Sequence, residues 1–275
     1  MTVDALALNN ALIEDYLKRF VQEELHTSGF TEACIALSGG LDSALVLKLA
    51  VDALGVGHVH AIFLPYKASS AESRWDARTM FEFCGTPWQE LDITSMADAY
   101  IALQPGIDRL RTGNLLARLR MAVIFDQSKK ENALVVGTSN KSELLVGYST
   151  WYGDMACGLM PIGDLYKTQV RSLARHLGLP QQVIAKPPSA DLWAGQTDEG
   201  EIGVSYETLD QVLFLLVDQR CSSAEVISEG FDADLVQQVE RKVQSSQFKR
   251  VPPLIAKLSQ RTVGIDFLYP RDWGK

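Results

Sequence analysis

The stretch Cys34-Ile35-Ala36-Leu37-Ser38-Gly39-Gly40-Leu41-Asp42-Ser43 runs on into Ala44-Leu45-Val46-Leu47-Lys48-Leu49-Ala50. Residues 33–37 are a continuous apolar run, which reads as a short buried strand. Ser38, Gly39 and Gly40 break it. Apolar residues from Leu41 onward then recur at helical spacing. Two glycines let the backbone turn sharply and approach a ligand closely. The turn's N–H groups, together with a new helix N-terminus, make an anion site. Ser38 and Ser43 add hydroxyl donors. Asp42 repels a bare phosphate, so a metal is expected between it and phosphate oxygens. No lysine stands in the turn, so this is not a Walker A loop. A glycine turn merely joining strand to helix is the plain alternative, and the whole hexapeptide in its strand–turn–helix context argues against it.

Composition limits the rest. The chain has 275 residues, 47% hydrophobic and 22% charged, ordinary for a globular protein with a sizeable core. Its formal net charge of −8 weighs against nucleic-acid binding by bulk charge. Cys34, Cys84, Cys157 and Cys221 are far apart, with no CxxC or Cys/His ligand spacing, so structural zinc and a redox pair are not expected. A reducing, cytoplasmic setting fits them. The N-terminus lacks the basic residues of a signal peptide, and no apolar run approaches a membrane span.

Outward from the central stretch, an amphipathic helix is expected over 5–25, packed beside the first strand. Strands are expected at 58–64, 88–93 and 132–137. Helices are expected at 73–85, 94–103, 113–125 and 168–177. His58 and His60 share a strand face. They read better as a strand entrance than as a metal pair, because no third ligand is near. Strands alternating with helices indicate an α/β fold with a doubly wound parallel sheet. Ligand is then expected at the carboxyl ends of the strands, where strand order reverses. Residues 186–201, with two prolines, two glycines and four acids, read as a lid or a disordered stretch. Helices at 206–218, 222–229 and 233–246 form a C-terminal helical appendage on the same domain.

Further motifs follow in order: Gly137-Thr138-Ser139-Asn140-Lys141-Ser142-Glu143, Gly147-Tyr148-Ser149-Thr150, Tyr152-Gly153-Asp154, Leu165-Tyr166-Lys167-Thr168 and Pro188-Ser189-Ala190-Asp191-Leu192. The opening loop resembles the pyrophosphate loop of the N-type ATP pyrophosphatases. With these motifs the chain, from about Leu12 onward, resembles the NAD synthetase family. That family adenylates the nicotinate carboxylate of deamido-NAD with ATP, and ammonia then displaces AMP.

The resemblance implies a set of site residues. Asp42 and Glu143 match the family's Mg²⁺ ligands and, with Lys167, its catalytic groups. ATP falls to Ala36, Leu37, Ser38, Gly39, Gly40, Leu41, Asp42, Ser43, Leu64, Lys67, Thr138, Lys167 and Ser189, with Arg78 a weaker candidate. Deamido-NAD falls to Arg118, Tyr148, Trp151, Asp154 and Lys249. Read from the residues alone, Glu143 is equally a helix N-terminal charge, and Lys167 reads first as a solvated loop lysine.

The chain departs from many ammonia-dependent members at three places. Phe248 stands for His, Trp151 for Lys, and Gly158 for an aspartate near the nicotinamide end, which leaves Asp154 as a substitute. This pattern is closer to the synthetase domains of glutamine-dependent members. A length of 275 residues leaves no room for an amidase domain, so free ammonia is the expected donor, with a separate glutaminase partner as the alternative. The family implies a homodimer with the dinucleotide at the interface. The rival readings are another ATP pyrophosphatase ligase, of the GMP synthetase or tRNA-thiolating kind, and a non-catalytic ATP-binding module.

Overall fold

The computed structural model describes residues 6–189, 191, 193 and 195–266. Ala190 and Leu192 of the fifth motif, and the tail aromatics Phe267, Tyr269 and Trp273, lie outside these. In chain order the elements are α1 (Asn10–Thr27), β1 (Glu32–Ala36), α2 (Leu41–Leu54), β2 (Val59–Ile62), α3 (Ala71–Cys84), α4 (Thr94–Ile101), α5 (Arg109–Glu131) and β3 (Ala133–Val135). There follow α6 (Lys141–Val146), α7 (Lys167–His176), α8 (Gln181–Ala185), α9 (Asp198–Ile202), α10 (Tyr206–Leu213), α11 (Ser223–Ser228) and α12 (Ala233–Ser245).

The sheet is parallel, in the order β2-β1-β3. Cys34 is level with His60 on one side and Val135 on the other. Ala33, Cys34 and Ile35 are fully buried, as an apolar run covered on both faces requires. From β1 the chain winds first to β2 and then back to β3 on the opposite side. The order therefore reverses between β1 and β3. The loops leaving those two strands are 37–40 and 136–140.

Residues 88–93 do not form the expected strand. Phe63 N–H donates to Gln89 O and Leu91 N–H to Phe63 O, both at 2.9 Å, giving one isolated parallel bridge. Beyond it, Ile93 N–H still reaches Pro65 O at 2.9 Å, but Pro65 has no N–H to complete a second bridge, and Asp92 takes the Thr94 N–H as the chain enters α4. On the other edge Leu159 makes a similar bridge to Val136, which no alternation in the sequence announces.

Helix α2 is apolar almost all round, because it lies between the sheet and other helices. Helix α1 packs on α2 and α7 rather than beside β1. A second apolar core, with Tyr206, Leu209, Val212, Leu213, Val226, Val236 and Val239, joins the C-terminal helices to Val146 and Tyr166. Helix α10 passes at Phe214–Asp218 into a π-helical turn. At the far end of the stretch expected as a lid, residues from Asp198 onward form α9. Among the described residues no helix is long and apolar enough to cross a membrane.

Candidate active site

A cleft of about 780 Å³ opens at the carboxyl ends of β1 and β3. Its floor is the loop after β1. Gly39 has φ +81°, and a Cβ there would lie 2.2 Å from Ser73 O, so only glycine allows α3 to approach. Ser38 Oγ and Ser43 Oγ are 3.0 Å apart, and Gly40 N–H donates to Ser38 Oγ at 3.2 Å. These bonds fix the turn so that α2 begins at Leu41 with Asp42 in its first turn.

The loop after β3 brings the second half. Asn140 caps α6 by accepting from Glu143 N–H at 3.0 Å, while its Nδ2 donates to Asp42 Oδ1, also at 3.0 Å. The cap therefore sets Glu143 beside Asp42. Between them stands Lys167, the first residue of α7, with its side chain only 3% exposed. Its Nζ bonds to Asp42 Oδ2 and, at 3.1 Å, to Glu143 Oε1. The Tyr206 hydroxyl lies 3.4 Å from Glu143 Oε1 and 3.5 Å from Asp198 Oδ2. The same ring lies under Lys167 Nζ, 5.3 Å from its centroid.

Two carboxylates therefore pair with one buried lysine, and the charge of a third, Asp198, also reaches it. Burial pushes the Glu143 carboxyl up to about 7; Lys167 opposes this, and Asp42 and Asp198 add to it. Burial also opposes the charge on Lys167, but Asp42 and Glu143 outweigh it and hold its pKa above the ordinary value.

The structure gathers most of the expected residues onto one cleft. Ala36, Leu37, Ser38, Gly40, Leu41, Asp42, Ser43, Leu64, Thr138, Glu143, Tyr148, Asp154, Lys167, Ser189 and Lys249 all line it. Tyr148 donates to Glu201 Oε2 at 2.6 Å. Asp154 takes the Thr150 N–H at 2.6 Å. Lys249 Nζ donates to Gly147 O and Ser149 O, each at 2.7 Å.

Others stand apart from the cleft. Lys67 is exposed and paired with Asp98 at 2.6 Å. Arg78 lies over the Trp88 ring. Arg118 is exposed and donates to Trp151 O, while the Trp151 ring stacks on Tyr152 and meets Phe248 edge-on.

Sequence reading missed Asn140, Arg120, Lys186 and Asp198. Asn140 was legible as the first residue of an Asn-x-x-Glu cap. Arg120 reaches Leu64 O at 2.9 Å across the apolar end of the cleft. Lys186 reaches Asp76 at 2.8 Å and Ser73 Oγ at 3.2 Å beside the glycine loop. No spacing in the sequence marks these last two or Asp198.

Residues 13–253 match the NAD synthase family. Over 270 residues the chain is 51% identical to the NH(3)-dependent NAD(+) synthetase of Trichlorobacter lovleyi, covering 98% of this chain and 99% of that one. The chain belongs to the NAD synthase family. Among solved structures it is similar to the NH3-dependent NAD synthetase of Campylobacter jejuni, with a TM-score of 0.78 and 32% identity over 91% of this chain and all of that one. It is also similar to the NMN synthetase of Francisella tularensis, with a TM-score of 0.81 and 28% identity over 91% of this chain and 99% of that one.

Proposed function

We propose that the protein is an ammonia-dependent NAD synthetase acting in the cytoplasm, with the residues around Lys167 as its reaction centre. The observation that carries this is the convergence of Asp42 and Glu143 on the buried Lys167 Nζ, above a loop suited to pyrophosphate. The carboxylate of deamido-NAD attacks the α-phosphorus of ATP, and the bond to the β-phosphate breaks. Pyrophosphate leaves into the Ser38–Ser43 turn, whose N–H and hydroxyl groups receive it. Lys167 offsets the negative charge that grows as that bond breaks. Ammonia nitrogen then attacks the acyl carbon, the bond to AMP breaks, and one proton is lost to yield the amide.

Asp42 and Glu143 present hard oxygen donors beside the phosphate loop and already share one cation, Lys167 Nζ, so the pair fits Mg²⁺. When bound, Mg²⁺ would supply charge neutralisation for the phosphate oxygens. Leu64, with Met121 and Ile124, lines an apolar end suited to adenine. Tyr148, Asp154 and Lys249 line the part suited to the dinucleotide acceptor. Thr138 and Ser189 face the phosphates between them.

Arg118 and the exposed Tyr152 and Phe248 beside Trp151 support a homodimer whose partner helps to close the acceptor site. A single domain with a C-terminal helical appendage is the reading that fits the shared core at Val146 and Tyr166.

The likeness to an NMN synthetase favours one second reading, in which the acceptor is the mononucleotide, nicotinate mononucleotide. Competition between the two acceptors under limiting MgATP tests this. Amidation of deamido-NAD in preference to the mononucleotide supports the proposal, and the reverse preference replaces it with the second reading.

A further inference from the structure

Behind the reaction centre, on the side away from the cleft, lies a fully buried carboxylate that the chemistry does not touch. Asp210 sits on α10 with 0% exposure. Its Oδ1 accepts from Ser142 Oγ at 2.5 Å, and its Oδ2 accepts from Thr168 N–H at 2.8 Å. Ser142 Oγ in turn accepts from Lys167 N–H at 2.9 Å. One carboxylate therefore binds two segments far apart in sequence, at Ser142 and at Thr168.

The placement is specific. Ser142 is the neighbour of Glu143, and Thr168 is the neighbour of Lys167. The first two N–H groups of α7 have no partner within their own helix, and Ser142 and Asp210 satisfy both. A negative charge there also suits the positive end of the α7 dipole. Tyr206, one turn before Asp210 on the same helix, reaches the front of the site with its hydroxyl 3.4 Å from Glu143. Helix α10 thus touches the centre at two points, one turn apart on one face. It is itself held by Leu209, Val212 and Leu213, buried in the second core.

We propose that Asp210 is a positioning residue, which acts through Ser142 and the first turn of α7 to hold Glu143 and Lys167 in reactive register. This gives the C-terminal helices a part in the reaction without contact with substrate. The proposal rests on the catalytic reading of Lys167 and Glu143. A misplacement of about 1 Å at a reacting group is enough to cost roughly 10²-fold in rate.

The test is steady-state NAD formation by the full chain carrying Asp210→Asn, Ser142→Ala or both, with Lys167→Ala alongside. Asp210→Asn is expected to lower kcat by about tenfold or more while KM for deamido-NAD stays within about twofold, since an interaction that matters in the transition state is being lost. The double variant is expected to be no worse than the poorer single, because both changes break one chain of bonds. A folded Asp210→Asn enzyme with kcat near wild type, or losses that multiply in the double variant, overturns the proposal. Should Asp210→Asn not fold, Ser142→Ala keeps the Thr168 bond and is decisive alone: a loss of about tenfold supports the proposal, and a normal kcat refutes it. An inactive Lys167→Ala with a fully active Asp210→Asn refutes only the positioning. An active Lys167→Ala refutes the catalytic reading, and the positioning with it.

Discussion

Asn140 donates its side-chain amide to Asp42 at 3.0 Å while its carbonyl caps the helix that carries Glu143. One side chain therefore sets the spacing between two acids that lie in the first turns of separate helices. Replacement by alanine removes the cap, at about 1 kcal/mol of stability. It also frees Asp42 from its neighbour. Asn140→Ala is expected to fold, with a modest fall in melting temperature and a loss of turnover larger than that fall explains. Parallel melting curves and NAD formation rates check it.

The two acids and the lysine carry the reaction in this account. Asp42→Ala and Glu143→Ala are each expected to abolish AMP formation, and excess EDTA is expected to stop the wild-type enzyme until Mg²⁺ is restored. Lys167→Ala is expected to lower kcat by roughly 10²–10³-fold, the usual effect of removing one preorganised charge from a transition state. Quench-flow measurement of AMP separates this from slow release of product. Near-normal AMP formation in either acid variant removes that residue from the centre.

Much of this centre is legible in the amino-acid sequence, and the reason is local. The Ser38–Ser43 turn and the capped Glu143 carry their own signals, a glycine turn and a helix start, whereas Lys167 by itself reads as a loop lysine and takes its role from the family resemblance. The acidic partner Asp198 and the rear support Asp210 carry none, because they act by tertiary approach from helices far along the chain. The strand expected at 88–93 fails for a related reason. Its residues suit a strand, and Ile93 N–H still reaches Pro65 O, but Pro65 has no N–H to return to Leu91 O, so the pairing stops after one bridge. Gly158 lies against Leu134: a Cβ there would meet Leu134 Cδ1 at 2.4 Å, so a larger residue at this position requires the leucine side chain to move.

Gly39 and Gly29 share positive φ but differ in surroundings. At Gly39 an added Cβ meets backbone oxygen at 2.2 Å, whereas at Gly29 nothing lies within 4 Å. Gly29→Ala is therefore expected to cost only the left-handed backbone penalty of about 1–2 kcal/mol. Gly39→Ala is expected to cost more, and to raise KM for ATP by displacing the loop. Chemical denaturation of the two variants, side by side, checks the ranking.

Lys67 points away from the cleft and pairs with Asp98 and the Tyr66 ring. Exposed pairs of this kind contribute little to stability, because solvent screens them. Lys67→Ala is expected to leave melting temperature and KM for ATP close to wild type. A large rise in that KM would show that Lys67 turns into the cleft when nucleotide binds.

The most direct measurement of the central claim is the product balance when the protein is given MgATP, deamido-NAD and ammonium. The account predicts NAD, AMP and pyrophosphate in equal amounts, with none formed when deamido-NAD is left out. Appearance of ADP and phosphate, or ATP cleavage that does not depend on deamido-NAD, would contradict it.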